Sequence, residues 1–223
     1  MESLMALRGE DWVILAADRN QARSIVKMKT DEDKMRVVGS HQVIAFNGEA
    51  GDTTNFAEYV QANLKLNAIR NNVPTSTPAA GAWIRNQLAT SIRSRKPYSV
   101  NILLGGYDVA TSSPHLYWID YLGTIGDVPY AAHGYASYFC LSTLDRFHDP
   151  KGSWEDGIET LKKCIKELQM RFIIDMGTWG IRIITKDGIK EQIISAGDIP
   201  APHGARPMAD VPMEATPVQP MQS

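Results

Sequence analysis

The first fifty residues contain short runs of apolar and β-branched residues, each bounded by polar residues or glycine. Runs of this length and composition predict β-strands, and they lie at 3–7, 12–18, 24–28, 35–38 and 43–47. The second run, WVILAAD, is apolar almost throughout and ends in Asp18. An acid at the end of a buried strand often belongs to a functional site, so Asp18 is the first candidate for chemistry.

From residue 52 to 71 apolar residues recur every three, four or five positions, which predicts an amphipathic helix. Its apolar stripe is expected to hold Phe56, Tyr59, Val60, Leu64 and Ile69. Asp52 or Thr53 is expected to cap its start. A second helix follows PTSTPAAG, with Thr77 as its cap and Pro78 as its first residue. Its buried face is expected to hold Trp83, Ile84, Leu88 and Ile92.

The rest of the chain repeats this order of strands followed by two helices. The patterns predict strands at 98–107, 115–122 and 128–132, helices at 137–147 and 153–172, and a hairpin of 179–184 and 189–194 around TKDG. Segregated runs of strands and helices favour antiparallel sheets over βαβ units. Each helix pair is therefore expected to cover one face of a two-sheet sandwich, which makes residues 1–195 one α+β domain.

After residue 195 the composition changes abruptly. Residues 196–223 hold six of the twelve prolines and no aromatic residue, so we expect an extended C-terminal tail that builds no core. Two roles stay open for this tail: it wraps a neighbouring chain, or it lies loosely along a surface.

The composition narrows the class of protein. The 223 residues are 43% hydrophobic and 22% charged with a formal net charge of -2, which favours a globular protein without nucleic acid or an anionic membrane as partner. No secretory signal or membrane-spanning run is recognised. Cys140 and Cys164 lie in predicted helices and are expected to be buried free thiols of an intracellular, soluble protein.

Taken one at a time, none of the candidate residues indicates an active site. Asp18 at a strand end is explained by hydrogen bonds to a turn, and Lys34 in TDEDKM by a solvated ion pair. The five histidines show no metal-ligand spacing, and LLGGYD matches no phosphate-binding loop. The surroundings of Cys140 offer no positive charge to stabilise a thiolate.

Taken together, the segments resemble a known family. The segments that carry the resemblance are VILAADR, FNGEAGDTTNFAEYV, RSRKPYSVNILLGGYD, YWIDYLGT, AAHGYASYFCLSTLD and a late helix ending in QMRF. They look like the β-type subunits of the 20S proteasome, nearest to the type-2 class at the fourth position of the β ring. The resemblance covers about residues 1–195 and implies a four-layer αββα sandwich, the N-terminal nucleophile hydrolase fold.

Active members of that family use an N-terminal threonine, whose hydroxyl is activated by its own α-amine and a lysine. The resemblance implies that Asp18 and Lys34 are the family's acid and lysine. The threonine falls at Glu2, or within one residue of it. Ser3 has a hydroxyl but no free α-amine while Met1 and Glu2 precede it.

The supporting residues also depart from the family pattern. Tyr135 stands where the GSGS segment of the family has a serine, and the later acid and serine fall near Phe172 and Asp175. No processing junction or propeptide is recognised. The resemblance therefore implies a subunit without catalytic, cofactor-binding or metal-binding residues.

The expected role is structural. The chain would help to form the β rings and the chamber wall of a 28-subunit particle for ubiquitin-dependent protein degradation, in the cytoplasm and nucleus. Its expected partners are two ring neighbours, the α ring and the opposing β ring. Two alternatives remain open: a hydrolase that uses Ser3 after N-terminal trimming, and a stand-alone binding protein on the same sandwich.

Overall fold

The computed structural model describes residues 2–23, 26–172, 177–195, 197 and 199. In that part of the chain the strands are β1 (Ser3–Arg8), β2 (Trp12–Asp18), β3 (Gln21–Arg23), β4 (Val26–Lys29), β5 (Met35–Gly39), β6 (Gln42–Gly48), β7 (Val100–Asp108), β8 (Ser113–Ile119), β9 (Ile125–Asp127), β10 (Tyr130–Gly134), β11 (Thr178–Thr185) and β12 (Gly188–Ser195). The helices are α1 (Asp52–Asn71), α2 (Thr77–Ser91), α3 (Ala136–Phe139), α4 (Leu141–Phe147) and α5 (Trp154–Arg171).

The strands form two five-stranded sheets and one small ribbon. Sheet I has the order β10-β1-β2-β11-β12, and sheet II the order β5-β6-β7-β8-β9. The ribbon pairs β3 with β4. Neighbouring strands in both sheets are antiparallel, which confirms the prediction from the segregated order of strands and helices.

Three apolar clusters show the layers. One packs α3, α4 and α5 against the outer face of sheet I, a second packs α1 and α2 against sheet II, and the third lies between the sheets. Gly105 lets the sheets approach, because a Cβ there would collide with Leu15. The four-layer αββα sandwich is therefore confirmed. No helix in the described part of the chain is long and apolar enough to cross a membrane.

The first helix buries a narrower stripe than its periodicity predicts. Tyr59 is 42% exposed and Ile69 is 68% exposed, whereas Thr53 and Ala57 are buried. The predicted caps are also wrong. Gly51 precedes α1 without a side-chain cap, and the Asp52 carboxylate instead accepts a hydrogen bond from the backbone N–H of Ser99 (3.2 Å).

The second helix is capped one residue earlier than predicted. Ser76 is its N-cap and accepts a hydrogen bond from the backbone N–H of Ala79, while Thr77 is fully buried inside the first turn. Thr77 has a different partner, the side chain of Asp108 at the end of β7. This contact engages the Thr77 hydroxyl, so the residue is not available as a cap.

The two cysteines are free and buried, as expected. Cys140 does not lie inside one long helix, because it separates α3 from α4. Its thiol donates to the carbonyl oxygen of Cys164 (3.7 Å). The Cys164 side chain and burial raise the pKa of Cys140 far above its usual range, so this thiol does not form a reactive thiolate.

Several predicted strands are displaced. The segment predicted at 24–28 forms β4 from Val26, with residues 24 and 25 outside the described part. The strand predicted at 128–132 forms β10, which begins two residues later, and β9 was not predicted. The closing hairpin is confirmed, with Lys186 and Asp187 in its turn. The tail predicted at 196–223 lies outside the described residues except for Gly197 and Ile199, and Ile199 packs into the cluster beneath α3–α5.

The end of β7 is joined to the start of α2 by one carboxylate. Asp108 Oδ1 accepts hydrogen bonds from the backbone N–H of Thr77 (2.9 Å) and from its hydroxyl (2.6 Å). Gln42 Nε2 donates to the same hydroxyl oxygen (3.2 Å). These contacts fix the entry of α2 onto sheet II.

We therefore expect Asp108→Ala to destabilise the protein, because it leaves the buried hydroxyl and backbone N–H of Thr77 without an acceptor. The expected loss is about 1–3 kcal/mol in the free energy of unfolding, measured by urea denaturation. The control, Asp187→Ala in the exposed hairpin turn, should change it by no more than about 0.5 kcal/mol. Equal stability of the two variants would contradict this role.

Candidate functional site

Three segments meet at one end of the sandwich, where β1 begins, β2 ends and the chain enters β5. The pairing of Leu4 with Ala17 places the start of β1 beside Asp18. Asp18 Oδ1 accepts a hydrogen bond from the backbone N–H of Ser3 (2.7 Å). Its other oxygen accepts from the backbone N–H of Asn20 (3.3 Å) and from Lys34 Nζ (2.7 Å).

Lys34 and Asp18 form a buried ion pair. The lysine side chain is 4% exposed and that of Asp18 is fully buried. Lys34 Nζ also donates to the carbonyl oxygen of Asn20 (2.7 Å). The prediction of a solvated pair for Lys34 is therefore wrong, because the sequence does not show that folding brings Asp18 to it. The hydrogen bond predicted between Asp18 and the following turn is confirmed by the N–H of Asn20. Asp18 forms the ion pair with Lys34 in addition.

Glu2 lies directly in front of this pair. Its Oε2 accepts a hydrogen bond from the backbone N–H of Gly48 (2.9 Å), and its carbonyl oxygen accepts one from the backbone N–H of Tyr135 (3.1 Å). Burial raises the pKa of the Glu2 carboxyl, while the positive charge of Lys34 opposes that rise. The Glu2 carboxylate is thus held by the amide of Gly48 and lies within electrostatic range of Lys34.

Two glycines are required for this geometry. Gly48 has φ 146°, and a Cβ there would collide with the carbonyl oxygen of Ser99. Gly134 has φ 68°, and a Cβ there would collide with the carbonyl oxygen of Glu2. Both conformations favour glycine. Neither glycine is among the residues predicted from the sequence, although glycine at the end of a strand is a signal for such a close approach.

A cavity of about 880 Å³ opens in front of Glu2. It lies between the β3–β4 ribbon, the end of β6 and the start of α3, and its lining includes Gln21, Met28, Asn47, Gly48 and Tyr138. The cavity is large enough for a peptide side chain or a short peptide. The group it presents beside the Asp18–Lys34 pair is a carboxylate, which lacks the hydroxyl or thiol of an activated nucleophile.

The hydroxyl of Ser3 does not reach this cavity. Ser3 is fully buried, and its Oγ has no hydrogen-bond partner among the described residues. Side chains of successive residues in extended chain point to opposite sides, so Ser3 points away from the side on which Glu2 meets the cavity.

Aromatic residues stand at the positions where the resemblance places the supporting hydroxyl and acid. The Tyr135 ring packs edge-to-face on Phe172 (centroids 5.1 Å apart), and Phe139 packs on Phe172 in the same way (5.5 Å). Ser137 Oγ donates to the carbonyl oxygen of Gly134 (2.7 Å). Asp175 lies outside the described residues.

The other candidate groups form no site in the described part of the chain. His, Cys, Asp and Glu side chains do not come together there in a group of three or more that could hold a metal ion. LLGGYD lies within β7, where Gly105 serves sheet packing. His133 is stacked on Trp118 (5.0 Å), and burial lowers its pKa to about 4.

Comparison with known proteins identifies the family to which this architecture belongs. The model of the family described as "Proteasome subunit" matches residues 2–184. A "Probable proteasome subunit beta type-4" of Meyerozyma guilliermondii is 50% identical over 191 residues, which cover 85% of this chain and 98% of the relative. The chain belongs to the proteasome subunit family. It is a β-type subunit of the proteasome core, whose work is protein degradation.

Two further relatives agree with the β type. The "Proteasome subunit beta type-4" of Saccharomyces cerevisiae is 44% identical and covers 86% of this chain and 96% of its own length. The "Proteasome subunit beta type-2" of Dictyostelium discoideum is 46% identical and covers 85% and 96%. The number in the name differs between organisms, whereas the β type does not. The family match includes Glu2, Asp18, Lys34, Gly48 and Gly134.

The buried ion pair yields a stability prediction. Lys34→Met leaves the Asp18 carboxylate buried without its cation, so we expect a loss of about 3–5 kcal/mol in the free energy of unfolding, measured by urea denaturation. The double variant Asp18→Asn/Lys34→Met removes both charges and should lose less. Lys29→Met on the exposed strand β4 is the control and should leave stability nearly unchanged. A single variant no less stable than this control would refute a buried pair.

A second prediction concerns pH. Because the folded-state pKa of Glu2 is raised above the unfolded value of 4.5, the native state binds more protons between those two pKa values, and stability falls as pH rises through that window. Glu2→Gln keeps an acceptor for Gly48 without the buried charge. We therefore expect Glu2→Gln to be more stable than the parent at pH 7, with the difference vanishing below pH 4.5. An advantage that is the same at both pH values would contradict this explanation.

Proposed function

We propose that the chain is a non-catalytic, structural subunit of the 20S proteasome core particle that forms part of the chamber wall. The observation that carries this proposal is the position of Glu2. Its carboxylate lies beside the buried Asp18–Lys34 pair and accepts the hydrogen bond of Gly48 (2.9 Å). A catalytic nucleophile at residue 2 would have its attacking oxygen in the space that the Glu2 carboxylate fills.

A carboxylate in this place is a poor catalyst of peptide hydrolysis. An activated nucleophile of this type needs a hydroxyl together with a base that takes its proton. Glu2 brings a negative charge to the region where the reaction would develop an oxyanion. It also accepts the backbone N–H that would otherwise stabilise such an oxyanion. The lysine and the acid are kept, and they hold the fold together at this end.

The alternative hydrolase would use Ser3 after removal of the first two residues. Its hydroxyl is fully buried and lies on the side of the strand away from the cavity. Trimming would in addition remove the carbonyl oxygen of Glu2, to which Tyr135 donates its backbone N–H. The geometry therefore favours the non-catalytic role over this alternative.

Membership of the family implies assembly with other proteasome subunits. We propose the arrangement in which the chain takes the fourth position of each seven-membered β ring, with two ring neighbours, an α ring and an opposing β ring around it in a 28-subunit particle. Contacts within such a ring join two different surfaces of each subunit. Exposed apolar side chains on several faces, including Tyr138 and Met170, support a protein that is covered by partners.

The compartments proposed for this particle are the cytoplasm and the nucleus. Two buried free thiols agree with a reducing compartment. Neither nucleic acid nor a membrane is proposed as a partner, in agreement with the net charge of -2.

Activity-based labelling of the particle tests the proposal. Particles purified through a tag on a sister subunit are treated with a peptide epoxyketone, and the mass of each intact subunit is measured. We expect the active sister subunits to gain the probe mass and to serve as the positive control. This chain should be present, unlabelled and still carry Glu2.

Two outcomes would overturn the proposal. A chain that begins at Ser3 and carries the probe would establish the hydrolase. A chain that is absent from the particle and purifies alone would favour the stand-alone binding protein.

A further inference from the structure

A second large concavity lies at the start of β6, whereas the cavity in front of Glu2 lies at its end; it plays no part in the site described above. This apolar groove, of about 1160 Å³, lies between α1, the β5–β6 turn, the loop before α2 and the β7–β8 turn. Val37, Ile69, Val73 and Val109 line it and are 37% to 68% exposed. No described residue covers these side chains.

The exposed state of the groove is unfavourable. Apolar area removed from water stabilises by about 25 cal/mol per Å², and contiguous apolar patches on monomers usually mark a binding surface. Of the charged residues in the lining, Glu58 is engaged by Arg36 (2.9 Å) and Asp108 by Thr77 (2.6 Å). Lys65 also lines the groove and forms no ion pair among the described residues.

The chain itself carries a segment with suitable chemistry beyond the described residues. Residues 200–206, PAPHGAR, contain no large aliphatic side chain, whereas 207–221 contain three Met, two Val and three Pro-Met pairs. Prolines preorganise an extended polyproline II segment, which docks into apolar grooves at a low entropy cost. The one charged residue in 213–221 is Glu214, which complements Lys65.

The length of the tail is sufficient to reach the groove. The described chain ends at Ile199, which is buried beneath α3–α5. The groove begins at the far end of the β11–β12 hairpin, where the ring of His41 is hydrogen-bonded to the carbonyl oxygen of Lys186 (3.1 Å). The path along β12 and across the two sheets is about 40 Å. At about 3.1 Å per residue it takes about 13 residues, so residues from about 213 onwards reach the groove.

The relatives do not explain this segment. The family match ends at residue 184, and the alignment that spans 98% of the Meyerozyma guilliermondii relative spans 85% of this chain. We propose that residues 213–221 of the tail dock in the apolar groove of the same chain, with Met213, Val218 and Met221 against its apolar lining. Tethering makes the binding intramolecular and thereby raises its effective concentration.

Site-specific photo-cross-linking tests the docking in the full-length chain, both free and inside particles purified through a sister subunit. Val218 is replaced by p-benzoylphenylalanine, and the cross-linked peptides are identified by mass spectrometry. We expect intrachain cross-links to the groove segments 58–76 and 107–111. The same photo-reactive residue at position 203, in the part of the tail that spans the sheets, should give none to these segments.

A matched pair of groove variants gives a second readout. Ile69→Asp places a charge in the groove and should lower the intrachain cross-link yield about tenfold. Leu66→Asp changes an exposed apolar residue of the same helix that does not line the groove, and it should leave the yield unchanged. Both positions are exposed, so neither variant is expected to prevent folding.

The proposal is overturned if position 218 cross-links mainly to a sister subunit, if its yield to the groove does not exceed that of position 203, or if the two aspartate variants behave alike. Incorporation into the particle is measured in the same samples. A chain that is incorporated but lacks the groove cross-links refutes the docking alone. A chain that shows the cross-links but is absent from the particle refutes the proposed structural role alone.

Discussion

The buried ion pair between Lys34 and Asp18 is the contact on which this end of the molecule depends. Asp18 ends a strand of sheet I and Lys34 immediately precedes a strand of sheet II, so their 2.7 Å contact joins the two sheets. Burial of two charges is unfavourable unless their hydrogen bonds are also formed. Here the backbone N–H groups of Ser3 and Asn20 donate to the Asp18 carboxylate, and Lys34 donates to the carbonyl oxygen of Asn20. The start of β1, and with it Glu2, is positioned by the same set of contacts.

In the non-catalytic role proposed for this chain, the framework of a catalytic site is present without its nucleophile. In the family pattern, an acid and a lysine support a threonine hydroxyl at the start of the first strand. In this chain a carboxylate stands there and is held by the amide of Gly48. Across the cavity mouth, the Tyr135–Phe172 contact is apolar packing where the pattern has a hydroxyl and an acid. In the proposed role, the remaining charges of Asp18 and Lys34 act on stability.

The helix layers on the two outer faces of the sandwich differ in how much of their apolar surface is buried. On one side, α3–α5 and the buried cysteines close an apolar layer over sheet I. On the other side, α1 leaves Ile69 and Tyr59 exposed, although the helical period alone places both on its apolar stripe. The stripe predicted from periodicity is too wide here, since Tyr59 stacks on Trp83 of α2 (5.7 Å) and the buried residues of the helix end at Leu64, before Ile69.

Strand and helix order, antiparallel pairing and the sandwich were readable from local patterns, because side-chain periodicity and turn residues act over a few positions. The resemblance identified Asp18, Lys34 and Glu2 one by one. Their meeting was decided by folding, since residues 2, 18, 34 and 48 approach only when two sheets pack face to face. The same holds for the caps: Thr77 has the right side chain for a cap, but the long-range contact with Asp108 engages it. Burial of a charge and the choice among competing hydrogen-bond partners are properties of the packed tertiary structure.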